Sequence, residues 1–464
     1  MYKLSNNTIT NILQEIYSGF PNYKVKCVDG LINLTYHKTI QTIKNKINTE
    51  YLKYNDYKVI IEPENRLFIN NQMAVCYLKF MELYFKFIID KIKYLDSIPI
   101  VEQRSVEWFN QRNNLLSASS IYKVLGTDND INTIVKEKIG IKKPFIQCEA
   151  TIHGTVFEEV SQKLYELRNN IILKEYGCIP SNNYNYIGAS PDGLVHDLHN
   201  IDMYNIDFDN LNDTLHPSII IDTLSLFGKL LEIKNPYSRV ITNKIPNHYD
   251  KQMILQEYVC GIPSCDYLEM NYDFYDSIDE FITDTFDFNK TISLSINEEN
   301  LFIKNHNIPV SNLTKNGVEK GILLQFKKHN VSSNTFSGVL YNIEKLYTKY
   351  NIEKWIKDII IQKETDGFIF DKQFLWSIKT YDIKEHKLNN EILNKILKKS
   401  NEVWDRILDE RKLSDCEIIK KYKNLELINS NINDTINNKK RKLNSTYQER
   451  NIQNKSRKVI YSFG

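Results

Sequence analysis

The stretches Gly188-Ala-Ser-Pro-Asp-Gly193 and Leu230-Leu-Glu-Ile-Lys-Asn-Pro236 decide how this chain is read. Leu230 to Ile233 is an apolar run with the character of a buried strand, and Pro236 ends it because proline cannot donate to a sheet ladder. Side chains alternate along a strand, so Glu232 and Lys234 leave the same face. A carboxylate and an ammonium on a core strand are costly unless they pair or hold a metal. Asp192 adds a second carboxylate from a Ser-Pro-Asp-Gly turn whose proline and glycine set the backbone. Taken alone, Glu-x-Lys on a strand is more often a surface ion pair than a catalytic pair. The apolar flanks and the preceding turn favour a reactive site.

At 464 residues the chain has room for roughly two to four domains. Hydrophobic residues at 42% and charged residues at 25% are ordinary for a globular protein. The net charge is +2, from 60 basic and 58 acidic residues, so nucleic-acid binding would need a local basic surface. Seven cysteines, at 26, 76, 148, 178, 260, 265 and 416, form no CxxC pair. That argues against a zinc ribbon or an iron–sulfur cluster and suits an intracellular, reducing compartment. The N-terminus lacks the apolar run of a signal peptide. Met73 to Leu95 is interrupted by Lys79, Glu82, Lys86 and Asp90, which predicts a buried helix rather than a membrane span.

Working toward the N-terminus, residues 171–190 alternate short apolar runs with turns and read as two strands. Before them, Ile152 to Leu167 buries one helical face through Val156, Val160, Leu164 and Leu167. Thr155 is expected to cap this helix, with Glu158 and Glu159 in its first turn where the dipole favours acids. Helix-cap acids are commonly no more than that, yet Glu158 is a third carboxylate able to reach the Asp192 centre. The segment Val101 to Arg112 leads into Ser117-Ala-Ser-Ser120, which reads as a helix start. A helix N-terminus preceded by an arginine suits a phosphate. From these residues alone, Arg112 as a surface charge and the serines as plain caps is the favoured reading. Residues 1–95 read as a separate, mostly helical region without a chemical motif.

Toward the C-terminus, a polar insertion separates Gly193 from Leu230. His248 to Gly261 predicts a helix ending at a glycine, with Gln252 and Gln256 on one face. Tyr267 to Tyr272 predicts a strand. Residues 275–365 carry no motif and are taken as a helical insertion. Phe374 to Ile383 reads as a strand and Asn389 to Arg411 as an amphipathic helix. The polar tail, 425–464, contains Lys439-Lys-Arg-Lys442 and a basic group at Lys455, Arg457 and Lys458. A solvated, partly disordered end is the simplest reading, with a nucleic-acid arm or nuclear-import signal as the sharper one.

The order of these segments resembles the YqaJ-type viral recombinase family, to which phage lambda exonuclease belongs, within the PD-(D/E)XK nucleases. The matching residues are Glu102-Gln103, Trp108, Arg112, Ala118-Ser119, Gly154 to Glu158, Ser190-Pro-Asp-Gly193, Glu232-Ile-Lys-Asn-Pro236 and Gln252. The resemblance covers about 101–272, with 366–412 as closing elements. It implies an α/β fold, a mixed sheet flanked by helices, as a nuclease core over 96–274 and 366–424.

By that resemblance Asp192, Glu232 and the Ile233 carbonyl would ligate Mg²⁺, with Mn²⁺ as a substitute. Glu158 would support a second ion or orient water, Lys234 would activate the water, and Gln252 would position it or the scissile phosphate. Arg112 and Ser119 would grip a 5′-terminal phosphate. The implied activity is 5′–3′ digestion of linear double-stranded DNA in viral recombination, repair or replication. Double-stranded DNA ends are the implied partner, with a single-strand annealing protein or further copies of the chain as additional ones. An endonuclease on the same fold and a non-catalytic DNA-end scaffold are the competing readings. The longer loop after Gly193, the preceding helical region and the segment 275–365 depart from the family pattern and bear on whether it forms a ring.

Overall fold

The computed structural model describes residues 27–28, 31–32, 85–101, 105–141, 148–199, 201–205, 225–286, 310–328 and 335–422, apart from 342, 344, 346, 415 and 419. Glu102, Gln103, residues 206–224 and the basic tail lie outside these residues, as does most of the 1–95 region.

Two short strands, β1 (Cys27–Val28) and β2 (Leu31–Ile32), form an antiparallel pair. Helix α1 spans 85–96. Helix α2 (Val106–Asn113), strand β3 (Leu116–Ser117), a 3-10 helix (Ala118–Leu125) and α3 (Asp128–Lys138) follow. Then come α4 (Glu149–Asn169), β4 (Ile171–Lys174), β5 (Ile179–Pro180), β6 (Ile187–Ala189), β7 (Gly193–Leu198) and β8 (Leu230–Lys234). Helix α5 (Asn247–Cys260) leads to β9 (Ser264–Phe274). Beyond it lie α6 (Ile278–Thr283), β10 (Lys320–Lys328), β11 (Thr335–Leu340), α7 (Lys349–Thr365), β12 (Phe368–Lys387) and α8 (Asn390–Glu410).

Among the described residues the main sheet has seven strands in the order β11-β10-β12-β9-β8-β7-β4. Only β8 and β9 are parallel neighbours in it, with Glu232 opposite Tyr267 and Lys234 opposite Glu269. Parallel neighbours need a crossover, and α5 supplies it. Gln252 through Cys260 are all buried, and Gly261 closes the helix at φ 68°. Strands β3, β6 and β5 form a second, small sheet. This is the α/β architecture expected from the sequence, a mixed sheet flanked by helices.

Three sequence expectations are corrected. Thr155 does not cap a helix. It lies inside α4, where its Oγ1 donates to the Thr151 carbonyl at 3.0 Å, and Glu158 is mid-helix. The helix runs back to Glu149 because Ile152, Val156 and Phe157 extend the same apolar face. Nor does residue 95 bound a separate region. Phe85, Ile88, Ile92 and Leu95 are fully buried in the main core. Gly228, at φ 78°, lies so close to α1 that an added Cβ would fall 2.2 Å from Ile88 Cγ2. Finally, 275–365 is not purely helical, since it contributes β10 and β11 to the main sheet. Leu323 faces the main core, whereas Ile322, Leu324 and Phe326 face a second cluster with Phe281, Tyr347 and Leu375. A strand covered on both faces loses the alternation that marks strands in sequence. Arg168 on α4 docks this region by forking onto Glu319 at 2.7 and 2.6 Å.

Candidate active site

Strand β8 places Glu232 and Lys234 on one face, as the alternation requires. The Glu232 side chain is fully buried. Its Oε1 accepts from Lys234 Nζ and from Gln252 Nε2 at 2.6 Å, and its Oε2 accepts from Gln256 Nε2 at 2.7 Å. Lys234 Nζ also donates to the Ile233 carbonyl at 2.9 Å and lies 3.7 Å from Asp192 Oδ2. The Ser190–Gly193 turn brings Asp192 alongside: its amide donates to Leu231 O at 3.1 Å, and its Oδ2 accepts from Ile233 N–H at 2.7 Å. The turn and the strand are therefore stapled together at the two carboxylates.

The charges are unbalanced. Burial, and then repulsion from Asp192, push the Glu232 carboxyl up to about 7 despite the opposing pull of Lys234. Glu158 is raised to about 8 by burial first and by Asp192 next, with Glu175 and Glu232 adding to it. Burial alone would discharge Lys234, but Glu232 and Asp192 outweigh it and hold the ammonium well above its ordinary range. Three carboxylates thus face one ammonium. That surplus fits a hard divalent cation, which prefers oxygen ligands. Among the described residues no three His, Cys, Asp or Glu side chains close around one point. The donors available are Asp192, Glu232, the Ile233 carbonyl and, from α4, Glu158. Such an open set suits Mg²⁺, which keeps several waters and needs one or two carboxylates.

Three residues supporting this centre were not assigned roles from sequence. Gln256 was noted only for sharing a face with Gln252, and that spacing of four was its signal. It also donates to Ser190 O at 3.3 Å. Gln162, one turn after Glu158, donates to Asp192 O at 3.0 Å. Tyr249 places its ring under Lys234, at 5.1 Å from Nζ.

Arg112 lies in the last turn of α2, its guanidinium 4.7 Å from the Trp108 ring centroid. Ser119 is exposed in the first turn of the 3-10 helix, its hydroxyl 3.2 Å from that of Ser117. The serine cluster does start a helix, though a 3-10 one. Aromatic contacts connect this helix to the charged centre. The Tyr122 ring meets His248 at 5.7 Å, His248 meets Tyr249 at 3.9 Å, and Tyr249 underlies Lys234. Among the described residues no helix is long and apolar enough to cross a membrane.

Residues 107–264 match the family model of the YqaJ-like viral recombinase domain. An uncharacterized protein of Acanthamoeba polyphaga mimivirus is 28% identical over 345 residues, covering 70% of this chain and 56% of the relative. A protein of African swine fever virus (isolate Tick/Malawi/Lil 20-1/1983) is 27% identical over 157 residues, 33% of this chain and 44% of that protein. The chain thus spans about half the length of the curated relatives it matches. Among solved structures, an alkaline exonuclease (LHK-Exo) from Laribacter hongkongensis aligns with a TM-score of 0.33 at 15% identity, over 69% of this chain and 100% of that one. A phage-related exonuclease from Haemophilus somnus 129PT aligns with a TM-score of 0.30 at 12% identity, over 64% and 98%. Arg112, Glu158, Asp192, Glu232, Lys234 and Gln252 all lie inside the segment 107–264 that matches the YqaJ-like viral recombinase domain model.

Proposed function

We propose that this protein is a Mg²⁺-dependent deoxyribonuclease that digests linear double-stranded DNA from the 5′ end, in the recombination, repair or replication of viral DNA. The observation that carries the reading is the buried Glu232 carboxylate, joined by Lys234 and Asp192, with carboxylates in excess of cations. A scaffold would gain nothing from burying these charges. Asp192, Glu232 and the Ile233 carbonyl would hold the ion, and Glu158 would support a second one. When bound, the ion would polarise the scissile phosphate and lower the pKa of a water.

The protein's own groups do the rest. Gln252 and Gln256 fix the Glu232 carboxylate, so its orientation is set before substrate arrives. Lys234, kept protonated by its carboxylate neighbours, donates toward the attacking water or the phosphate oxygens. Water oxygen bonds to phosphorus as the P–O3′ bond breaks, and the new end carries a 5′-phosphate. Arg112 and the serine-rich helix start bind that phosphate, which makes each product end the next substrate. The Tyr122–His248–Tyr249 contacts link the serine-rich 3-10 helix to Lys234, which supports an exonuclease over an endonuclease on the same fold.

The test is digestion of linear duplexes with 5′-phosphate, 5′-hydroxyl or blocked ends, and of closed circles, in Mg²⁺ and in EDTA. Mg²⁺-dependent release of nucleotides from 5′-phosphorylated ends, abolished by Asp192→Ala, is expected. Equal cutting of circles would favour the endonuclease, and end binding without cleavage would favour the scaffold.

A further inference from the structure

The chain immediately after Lys234 presents an aromatic ring to solvent on a backbone that is anchored on both sides. Tyr237 is 57% exposed. On one side, Asn235 is buried and its Oδ1 accepts from Ser161 Oγ at 2.7 Å, while Ser161 Oγ lies 2.8 Å from Tyr272 Oη. On the other side, the Arg239 guanidinium pairs with the buried Glu269 carboxylate on β9.

The Tyr237 ring is also backed by other rings. His153 on α4 meets it edge-on at 5.6 Å, and His153 in turn packs against Phe157 at 4.6 Å. Phe157 packs on Tyr272 at 4.5 Å and Phe374 at 5.2 Å. Burial lowers the His153 pKa, which favours a neutral ring in this column. Helix α4, which carries His153 and Phe157, also carries Glu158. Loops beside strands ordinarily expose polar residues at their tips. Here the exposed residue is a large ring with little freedom, three positions from the proposed catalytic lysine.

Resting on the nuclease reading, we infer that Tyr237 is a stacking platform for a nucleobase flanking the scissile phosphate. A base stacked there would register the phosphate over Lys234, and it would do so for any sequence because every base has a π-face. Tyr237 is thus a substrate-positioning residue outside the metal and phosphate machinery.

The experiment uses the full chain and duplexes carrying 2-aminopurine, a fluorescent adenine analogue, at the first or the second position from a phosphorylated 5′ end. Binding is read in EDTA and digestion in Mg²⁺, for wild type, Tyr237→Ala and Tyr237→Phe. Wild type is expected to quench the fluorophore at one of the two positions. Tyr237→Ala should lose that quench and raise KM roughly tenfold, the scale of one lost base–aromatic stack. Tyr237→Phe should keep both. Wild-type quench and KM in Tyr237→Ala would overturn the inference while leaving the nuclease reading intact. Tyr237→Phe as defective as Tyr237→Ala would overturn it too, by assigning the role to the hydroxyl. A wild type that neither binds nor digests the duplex would instead bring down the nuclease reading and the platform with it.

Discussion

Glu158→Gln should stabilise the metal-free protein, and only at neutral to alkaline pH. The folded protein raises the Glu158 carboxyl from 4.5 to about 8, through burial and then the Asp192 charge. A carboxyl whose folded pKa is raised stabilises the fold while it is protonated. The contribution is complete below about 4.5 and is lost as pH climbs through 8. At ~1.4 kcal/mol per tenfold change in proton affinity, the ceiling is about 5 kcal/mol. Solvent reaches this half-buried side chain, and the repulsion is shared with Asp192 and Glu232, which screens and divides the effect. The amide is therefore expected to recover about 1–2 kcal/mol at pH 8.5 and close to nothing at pH 4.5, read from urea unfolding midpoints in EDTA. Added Mg²⁺ should erase the gain, because a bound cation relieves the same repulsion. A Glu158→Gln protein no more stable than wild type at pH 8.5, or equally stabilised at both pH values, would refute the account of a charge-frustrated site.

Lys234→Ala should lose turnover far more than duplex binding, and Lys234→Arg should not restore it, because a guanidinium is larger and shaped differently. Single-turnover digestion beside a binding isotherm checks this. Arg112→Ala should remove most of the preference for 5′-phosphorylated over 5′-hydroxyl ends, at a cost of ~1.5–3 kcal/mol for a lost charged hydrogen bond, measured as the ratio of kcat/KM for the two ends. Gln256→Leu removes donors to Glu232 Oε2 and Ser190 O and leaves a buried carboxylate oxygen unsatisfied. It should lower kcat by about tenfold to a hundredfold, since a bond to a charged group contributes ~1.5–3 kcal/mol. Gly228→Ala should cost at least ~2 kcal/mol by thermal or urea unfolding, from the clash with Ile88 together with a left-handed backbone that suits glycine.

The candidate site residues were legible in the sequence because their signals are local. Glu232 and Lys234 are two apart on an apolar strand, Asp192 sits in a proline–glycine turn, and Gln252 and Gln256 are four apart on a helix. Each spacing converts directly into a shared face. Tertiary structure alone decided how these pieces meet. Nothing local says that the Ser190–Gly193 turn hydrogen-bonds to β8, or that Tyr122 reaches Lys234 through His248 and Tyr249. The same holds for β10, whose apolar run is ambiguous until both of its covering layers are known. Helix α1 likewise joined the core through long-range contacts with Phe227 and Gly228. Sequence periodicity reports which face of an element is buried, and carries no information about the partner that buries it.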